Sequence, residues 1–442
     1  MQIHVVRPGE TLYGIARQYG VSVTLLGRLN QVPAGGALAV GQTLAAALLA
    51  VQVLFVVLTT RYLKDHFALI YGALEGIARR EGVSVLSLYQ NNYFLGGRSR
   101  ILPDEELIVA LKGEKSGTLG VNGYAYTFIR QEQLRTVLPY ITYLTPFTYG
   151  VTSQGGLVAP DDGPLLAAAP QYGAQLWMHL STLTDSGSFD SRLGGALLEN
   201  ETAQKALIDA VAANMAEKGY QGLDVDFEYL EGRQAAAYTA FIDALRQRLN
   251  PLGWPVIVAL APKSSAEQRG LLYEAHDYAA LSHAANAVLL MTYEWGYTYG
   301  EPMAVAPIDK VRQVLDYAVM EMPPEKILMG MANYGYSWTL PYKKGTAARP
   351  LSLSEIPQTA YSQYADIRFD DTAQSPFFRY YDSAGTEHIA WFEDPRSIEA
   401  KLKLVSEYGL GGVSYWNINT LYRPNWAVLS GMYGIEKVFG QG

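Results

Sequence analysis

The octapeptide QGLDVDFE, residues 221–228, decides the fold prediction. Side chains of a β-strand alternate between its two faces. Here apolar residues alternate with three carboxylates, Asp224, Asp226 and Glu228. In a closed barrel the apolar face packs against surrounding helices, so the acids would point into the interior. Because barrel active sites lie at the C-terminal ends of the strands, the segment predicts a barrel strand that ends in an active site.

Three inward acids lose hydration and repel one another, so at least one should hold a proton near neutral pH. Two other interpretations are a solvated edge strand and a divalent cation site. An edge strand does not account for the second, apolar face, and acids spaced by two along one strand do not wrap an ion as a loop would. The spacing therefore favours acid catalysis.

On both sides of this segment along the chain, short apolar runs alternate with amphipathic helical patterns. Strands are predicted at 121–127, 141–148, 174–180, 222–228, 256–261, 287–293, 327–332 and 412–416. Helices are predicted at 202–218, 235–249, 310–321 and 398–408. The alternation predicts an α/β protein, a (β/α)8 TIM barrel over residues 119–442. Residues 337–391 are too many for one connecting helix and contain β-rich pieces, so an α+β insertion is predicted between strands 7 and 8.

The N-terminal part contains an internal repeat. GIARQYGVSV at 14–23 returns as GIARREGVSV at 76–85, with eight of ten positions identical. Each copy predicts two short helices with flanking strands, a βααβ unit too small for a catalytic cleft. The two units are placed at 1–48 and 65–112, and their size favours binding modules.

The first unit resembles a LysM module in HVVRPGETL, residues 4–12, and in the Val40-Gly41-Gln42 segment. Such modules bind N-acetylglucosamine-containing glycans beside this loop, so the resemblance implies sugar contacts for Gly9, Glu10 and Thr11. The second unit has Ile-Tyr-Gly-Ala at 70–73 in place of the loop. It resembles a degenerate LysM, either a sugar-binding module or a spacer or docking module.

The octapeptide resembles the DxxDxDxE signature of family 18 glycoside hydrolases, which include chitinases and peptidoglycan N-acetylglucosaminidases. Met291-Thr292-Tyr293-Glu294 is similar to the Met-x-Tyr-Asp element of that family, and Trp416 to the tryptophan at the end of its last strand. Gly123-Tyr124 matches on the first strand. The resemblance implies substrate-binding roles for Trp416, Tyr124, Met291 and Glu294.

The same resemblance implies a retaining mechanism in which the substrate's 2-acetamido oxygen attacks the anomeric carbon. Glu228 would be the general acid and then the general base. Asp226 would hydrogen-bond the acetamido N–H, Asp224 would share a proton with it, and Tyr293 would hold the acetamido oxygen.

Two positions depart from the family pattern. Gln221 stands where the family has its first Asp, a support residue deep in the barrel, so the pKa of Asp224 could differ. Glu294 replaces an Asp and is one methylene longer, so its contact with sugar hydroxyls could shift.

The amino-acid composition limits which kinds of partner and cofactor are expected for the protein. The chain has 442 residues with 34 basic and 42 acidic side chains, a net charge of −8 that disfavours nucleic acid. It has no cysteine, and its six histidines show no ligand spacing, so neither a metal nor another cofactor is expected.

Residues 37–60 carry no charge, but Gln42, Thr43 and Gln52 interrupt the apolar run. Buried strand and helix are favoured there over a membrane span.

The beginning of the chain shows no basic n-region and no apolar h-region. A LysM pair before such a catalytic domain resembles the cortex-lytic N-acetylglucosaminidases of spore-forming bacteria. The resemblance implies hydrolysis of peptidoglycan in the spore cortex or its fragments during germination, by a protein deposited in the spore without a signal peptide. A chitinase acting on chitin oligomers and a non-catalytic glycan-binding protein remain as alternatives.

Overall fold

The computed structural model describes residues 2–33, 35–46, 53–55, 73–92, 95–99, 106–109, 115–182 and 190–438. Eight parallel strands form a closed barrel in which β8 pairs with both β7 and β1. The strands are β1 (Thr118–Tyr126), β2 (Tyr143–Phe147), β3 (Gln175–Ser181), β4 (Gly222–Asp226), β5 (Val256–Leu260), β6 (Ala287–Leu290), β7 (Ile327–Ala332) and β8 (Gly412–Trp416). The predicted barrel and the order of its eight strands are confirmed. The predicted fourth strand is two residues too long, because β4 ends at Asp226.

Helices cover the outside of the barrel. Their bounds are Gln131–Val137, Gly163–Ala168, Ser191–Leu198, Glu201–Lys218, Ala235–Leu249, Tyr278–Ala284, Ile308–Glu321, Pro395–Tyr408 and Arg423–Met432. All four predicted helices are present. The helix predicted at 398–408 begins earlier because the carboxylate of Asp394 accepts hydrogen bonds from the backbone N–H groups of Arg396 and Ser397. Pro395 then occupies the first helical position, where its missing N–H costs nothing.

The predicted insertion between β7 and β8 is an α+β unit. It holds a five-stranded antiparallel sheet and a helix, Ile356–Ser362. Its strands are Gly335–Thr339, Arg349–Leu351, Arg368–Asp370, Ser375–Tyr381 and Glu387–Trp391. The insertion follows directly on β7, so its first strand rises from the C-terminal end of the barrel.

The first N-terminal unit has the predicted βααβ order. Strands Gln2–Val5 and Thr43–Ala46 pair antiparallel around helices Leu12–Tyr19 and Val23–Leu29. The hydroxyls of Thr11 and Ser22 cap the two helices. The second strand begins only at Thr43, because Gly41 turns the chain with a φ of 80°.

The second unit contains helices Ala73–Glu81 and Val85–Asn91, and strand Val53–Phe55 pairs with Glu106–Ile108. That first strand lies upstream of the predicted start at residue 65, while the module boundary itself stays a prediction. The rebuilt loop at 70–72 lies outside the described residues. Of the uncharged stretch at 37–60, residues 43–46 and 53–55 are strand, and residues 47–52 and 56–60 lie outside the described part. No helix among the described residues is long and apolar enough to cross a membrane.

Both small units contact the barrel. The side-chain amide of Gln31 donates to the carbonyl of Leu421 (3.1 Å) and accepts from the N–H of Arg423 (2.8 Å). The second unit makes a similar contact, from the amide nitrogen of Gln90 to the carbonyl of Pro139 (2.8 Å). The loop that receives Gln31 follows β8, so the first unit lies near the C-terminal end of the barrel.

Candidate active site

A cleft of about 480 Å³ opens at the C-terminal end of the barrel. Its walls contain the predicted residues Tyr124, Asp226, Glu228, Met291, Tyr293, Glu294 and Trp416. Asp226 is the last residue of β4, and Glu228 follows two residues later on the rim. The alternation that begins in the strand therefore continues past its end, and the predicted inward row of acids is present.

Asp224 lies one layer deeper, below the cleft. The hydroxyl of Tyr124 donates to its Oδ2 at 2.5 Å. His179, on the neighbouring strand β3, stands in register with Asp224. Its Nε2 lies 3.8 Å from Asp224 Oδ2 and 3.7 Å from Asp226 Oδ2. The two aspartates thus share a buried basic neighbour.

The acids of the row differ in their protonation. Burial raises the pKa of Glu228 well above its usual value, and the charges of Asp226 and Glu294 raise it further. Burial also raises the pKa of Asp224 to about 6, against the opposing effects of His179 and the Tyr124 hydrogen bond. Glu228 is therefore held in its protonated form near neutral pH, as a general acid requires.

Glu294 is fixed by two hydroxyls from the insertion side of the cleft. Its Oε1 accepts hydrogen bonds from Tyr334 and, at 3.0 Å, from Tyr336. Its backbone adopts a φ of 67°, a conformation that L-residues rarely adopt. Burial raises the pKa of Glu294, and the two hydroxyl donors lower it. The longer side chain is thus anchored by these tyrosines.

Aromatic rings form the floor of the cleft. Trp416, at the end of β8, meets Phe147 edge-to-face with ring centroids 4.8 Å apart and Tyr124 at 5.4 Å. Tyr293 follows β6 and is buried. A sugar ring lying on Trp416 would meet an apolar surface with carboxylates beside it.

Behind the catalytic strand, His276 supports the chain between Phe227 and Glu228. Its Nδ1 accepts from the N–H of Ala261 at 2.9 Å, so the other ring nitrogen carries the proton. Nε2 donates to the carbonyl of Phe227 at 3.2 Å. Burial lowers the pKa of His276 to about 4, so the ring is neutral at working pH.

Sequence reasoning missed His179, His276, Tyr334 and Tyr336. A signal for His179 was available, because Trp177, His179 and Ser181 alternate along β3 as the acids do along β4. No local pattern marks the others, because insertion tyrosines and a histidine behind a strand reach the site through tertiary contacts.

Gln221 does not lie deep in the barrel as predicted. It is exposed at the N-terminal end of β4, where its Oε1 accepts from the N–H of Leu176 at 3.1 Å. The prediction took the side chain to be inside, but it precedes the strand. Its lost charge is therefore remote from Asp224.

The loop Gly9-Glu10-Thr11 belongs to the first small unit and takes no part in the cleft. The carboxylate of Glu10 accepts from the N–H of Arg7 (2.8 Å) and pairs with His4 Nε2 (2.8 Å), and these contacts lower the pKa of Glu10. A groove of about 660 Å³ lies between Leu12, which follows this loop, and Arg423 of the barrel. Its other walls come from Val23, Thr24, Gly27, Arg28, Gln31, Val32, Pro33 and Gly35. Among the described residues, no group of three or more His, Asp or Glu side chains is arranged to hold a metal ion.

Comparison with known proteins finds two family models that match the chain. The model of "Glycosyl hydrolases family 18" matches residues 184–420, and that of the "LysM domain" matches residues 4–46. The "Cortical fragment-lytic enzyme" of Bacillus subtilis (strain 168) is 37% identical over 438 residues, which cover 99% of both chains. The "Putative sporulation-specific glycosylase YdhD" of the same organism is 29% identical over 440 residues, 99% of this chain and 100% of the relative.

Solved structures give the same picture. The spore cortex-lytic enzyme SleL of Bacillus megaterium QM B1551 superposes with a TM-score of 0.80 at 33% identity, covering 99% of each chain. SleL of Bacillus cereus gives 0.82 at 32% identity, over 99% of this chain and 98% of the other. A chitinase from Chromobacterium violaceum ATCC 12472, 24% identical over 71% of this chain and 98% of its own, shares the fold with a TM-score of 0.67.

Proposed function

Because the chain belongs to family 18 of the glycosyl hydrolases and is a glycoside hydrolase, we propose that it cleaves N-acetylglucosaminyl bonds of peptidoglycan by substrate-assisted retention. The observation that carries this proposal is the position of Glu228. Its carboxyl stands on the rim of the cleft, protonated through burial and beside Asp226. The glycosidic oxygen needs such a proton donor to leave the amino sugar.

In the proposed mechanism, Glu228 protonates the glycosidic oxygen while the acetamido oxygen of the substrate attacks the anomeric carbon. An oxazolinium intermediate forms, and the deprotonated Glu228 then activates the water that opens it. Asp226 hydrogen-bonds the acetamido N–H and stabilises the positive charge that develops there. Tyr293 holds the acetamido oxygen in its attacking position.

The remaining residues bind the sugar. Trp416 lies under the ring at the cleavage point, with Tyr124 and Met291 beside it in the cleft wall. The carboxylate of Glu294, fixed by its two tyrosines, accepts from a sugar hydroxyl. Asp224 shares a proton with Asp226, since its pKa of about 6 lets it take one near neutral pH.

Spore cortex peptidoglycan, or its fragments during germination, is the substrate we propose, with the spore as the place of action. Support comes from relatives whose names describe cortical fragment lysis and which match over nearly the whole chain. The first LysM unit binds the glycan through Gly9, Glu10 and Thr11, together with the groove that begins at Leu12.

The test is incubation with purified cortex fragments and with chitin oligomers, followed by identification of the new reducing ends. New N-acetylglucosamine ends from cortex support the proposal. Cleavage of chitin alone would favour a chitinase, and binding without cleavage would favour a glycan-binding protein. Glu228→Gln should retain binding and lose turnover, while Glu267→Gln, an exposed glutamate outside the cleft, serves as the matched control.

Substrate assistance has its own test. A fragment whose reacting sugar lacks the N-acetyl group has no internal nucleophile, so it should bind and resist cleavage. The first-formed product should keep the anomeric configuration of the substrate, as NMR of the early product measures. Inversion, or equal cleavage of the deacetylated fragment, would contradict the mechanism.

A further inference from the structure

A second cavity, of about 450 Å³, lies where four parts of the chain meet. The first LysM unit contributes Gln31, the second unit contributes Gly96, and the insertion contributes Ser352. The barrel closes the cavity with the helix Gln131–Val137 and with the loop that follows β8. We call it the junction cavity, and the mechanism above gives it no task.

The junction cavity is continuous with the groove that begins at Leu12, the LysM groove. Gln31 and Arg423 line both of them, so a ligand that fills one extends into the other. Arg423 also donates from Nη1 to the carbonyl of Arg28 at 3.4 Å, and its N–H donates to the side chain of Gln31 at 2.8 Å. These hydrogen bonds cross from the barrel to the LysM unit, and they make the passage a part of the folded structure.

Aromatic rings connect the junction cavity to the catalytic cleft. Asn419, in the wall of the cavity, accepts a hydrogen bond from the N–H of Tyr126 at 2.8 Å. The ring of Tyr126 meets Trp416 edge-to-face with centroids 5.9 Å apart, and it stacks on Phe128 at 5.2 Å. Phe128 is 76% exposed and lies two residues before Arg130, which lines the cavity. An exposed apolar surface suited to a sugar chain therefore leads from Trp416 to the cavity.

The junction cavity and the LysM groove are positively charged within an acidic protein. Among the described residues that line them, three are basic and one is acidic: Arg28, Arg130, Arg423 and Glu132. The whole chain, in contrast, has a net charge of −8. A neutral sugar gains little from this excess of arginine, whereas guanidinium groups bind carboxylates through charge-assisted and often bidentate hydrogen bonds. Arg130 is exposed, so its guanidinium is open to a ligand.

We propose that the junction cavity binds carboxylate groups of a peptidoglycan strand through Arg130 and Arg423, while the strand runs between the LysM groove and the catalytic cleft. Muramic acid bears a lactyl carboxyl group, which is either free or extended by a peptide that ends in a carboxylate. Chitin has neither, so the cavity favours peptidoglycan over chitin. This inference rests on the proposed function for the polymer and adds the chemical group that is recognised.

Calorimetric binding to the full-length chain tests the proposal. Every protein carries Glu228→Gln, so that the probes stay intact. One probe is a tetrasaccharide of alternating N-acetylglucosamine and N-acetylmuramic acid with free lactyl carboxylates, and the other bears peptide stems. Each is compared with a form whose carboxylates have been amidated. We expect the carboxylate form to bind more tightly, and preference with the second probe alone would identify the peptide as the source of the carboxylate.

Three variants locate the charge effect. Arg130→Gln should weaken binding of the carboxylate form about threefold to tenfold and leave that of the amidated form unchanged. This loss should shrink when NaCl is raised from about 0.05 M to about 0.5 M. Glu132→Gln should strengthen binding of the carboxylate form, because it removes a like charge. Arg248→Gln is the matched control, since it removes an exposed positive charge from the last turn of the helix Ala235–Leu249, outside both cavities.

Equal affinity for the carboxylate and amidated forms of both probes would overturn the inference, as would an effect of Arg130→Gln no greater than that of Arg248→Gln. Binding is measured without turnover, so the two proposals can fail separately. Cleavage of cortex by the wild type, together with equal binding of both forms, would refute the inference alone. A preference for carboxylates, without release of N-acetylglucosamine ends from cortex, would refute the proposed function alone.

Discussion

At position 294 a glutamate stands in the cleft wall with one carboxylate oxygen held by two tyrosine hydroxyls. Its negative charge is one of the causes that raise the pKa of Glu228. The general acid works only while protonated, so activity is lost as pH rises through that pKa. Glu294→Gln removes the charge and should move the basic limb of kcat/KM to lower pH.

At pH 8 we expect the variant to lose about tenfold in kcat/KM, with a smaller loss at pH 5. The comparison is Glu301→Gln, which removes an exposed carboxylate outside the cleft. An unchanged basic limb in Glu294→Gln would show that Glu294 acts only as a sugar ligand.

His276 makes the folding free energy depend on pH. Its folded pKa of about 4 lies below the value of 6.5 for the unfolded chain. The unfolded state thus binds more protons between these values, so stability is fully present above pH 6.5 and is lost as pH falls to about 4. The loss from this one group should be about 3 kcal/mol. Chemical denaturation of the wild type and His276→Gln at pH 7 and pH 4.5 measures it.

The variant should be less stable at pH 7, because the contact with the Phe227 carbonyl is altered, and should show a smaller drop between the two pH values. An equal drop in both proteins would mean that His276 titrates in the folded protein as it does in the unfolded one.

Among the elements, the helix Pro395–Tyr408 is stabilised by a buried salt bridge. Lys401 Nζ lies 2.8 Å from Glu393 Oε2, and both side chains are 2% exposed. Removing one partner of a buried pair leaves the other charge uncompensated, so Lys401→Met should cost about 3–5 kcal/mol of unfolding free energy. Replacing both residues by apolar ones of similar volume should recover most of that loss.

The same helix supplies the control. Lys403 pairs with Glu399 at 3.1 Å with its side chain 62% exposed, and exposed pairs contribute about 1 kcal/mol or less. Lys403→Met should therefore leave the denaturation midpoint almost unchanged. Equal effects of the two substitutions would contradict the view that burial makes Lys401 critical.

The elements also show how much of the structure could be predicted from the sequence. The period-two row in QGLDVDFE placed Asp224, Asp226 and Glu228 on one face because strand geometry alone fixes that relation. The end of β4 was set two residues too late, since the alternation continues beyond the last ladder hydrogen bond. Tyr334 and Tyr336 could not be predicted as partners of Glu294, because the fold of the insertion brings them there. Gln221 was placed inside because the family resemblance supplied its position, although the predicted start of the strand at residue 222 was correct.

For the whole molecule, the first LysM unit and the barrel form a continuous packed body. The N–H of Ile367 in the insertion donates to the carbonyl of Val40 at 2.9 Å, next to the contacts of Gln31 on the loop after β8. These contacts join residues more than 300 positions apart in the sequence, and no sequence pattern predicts them. A glycan held in the LysM groove would thus meet the cleft at a fixed relative orientation.

Gly41 is the position where this docking is most sensitive. A Cβ there would lie 1.9 Å from the carbonyl oxygen of Ile367, so Gly41→Ala must move the two units apart. Gly253→Ala is the matched control, because its φ of 80° imposes a similar backbone strain of about 1 kcal/mol with nothing within 4 Å of the added Cβ, and Gly253 lies outside the LysM groove.

Hydrogen exchange at the Ile367 amide reports the docking directly, since its acceptor lies in the other unit. We expect protection to be lost in Gly41→Ala and kept in Gly253→Ala. Cleavage of short soluble fragments should be unchanged in Gly41→Ala, because the cleft is intact, while cleavage of insoluble cortex should fall several-fold if the fixed orientation presents the polymer to Glu228. Full activity on cortex with an unprotected Ile367 amide would show that the LysM unit tethers the enzyme without aligning it.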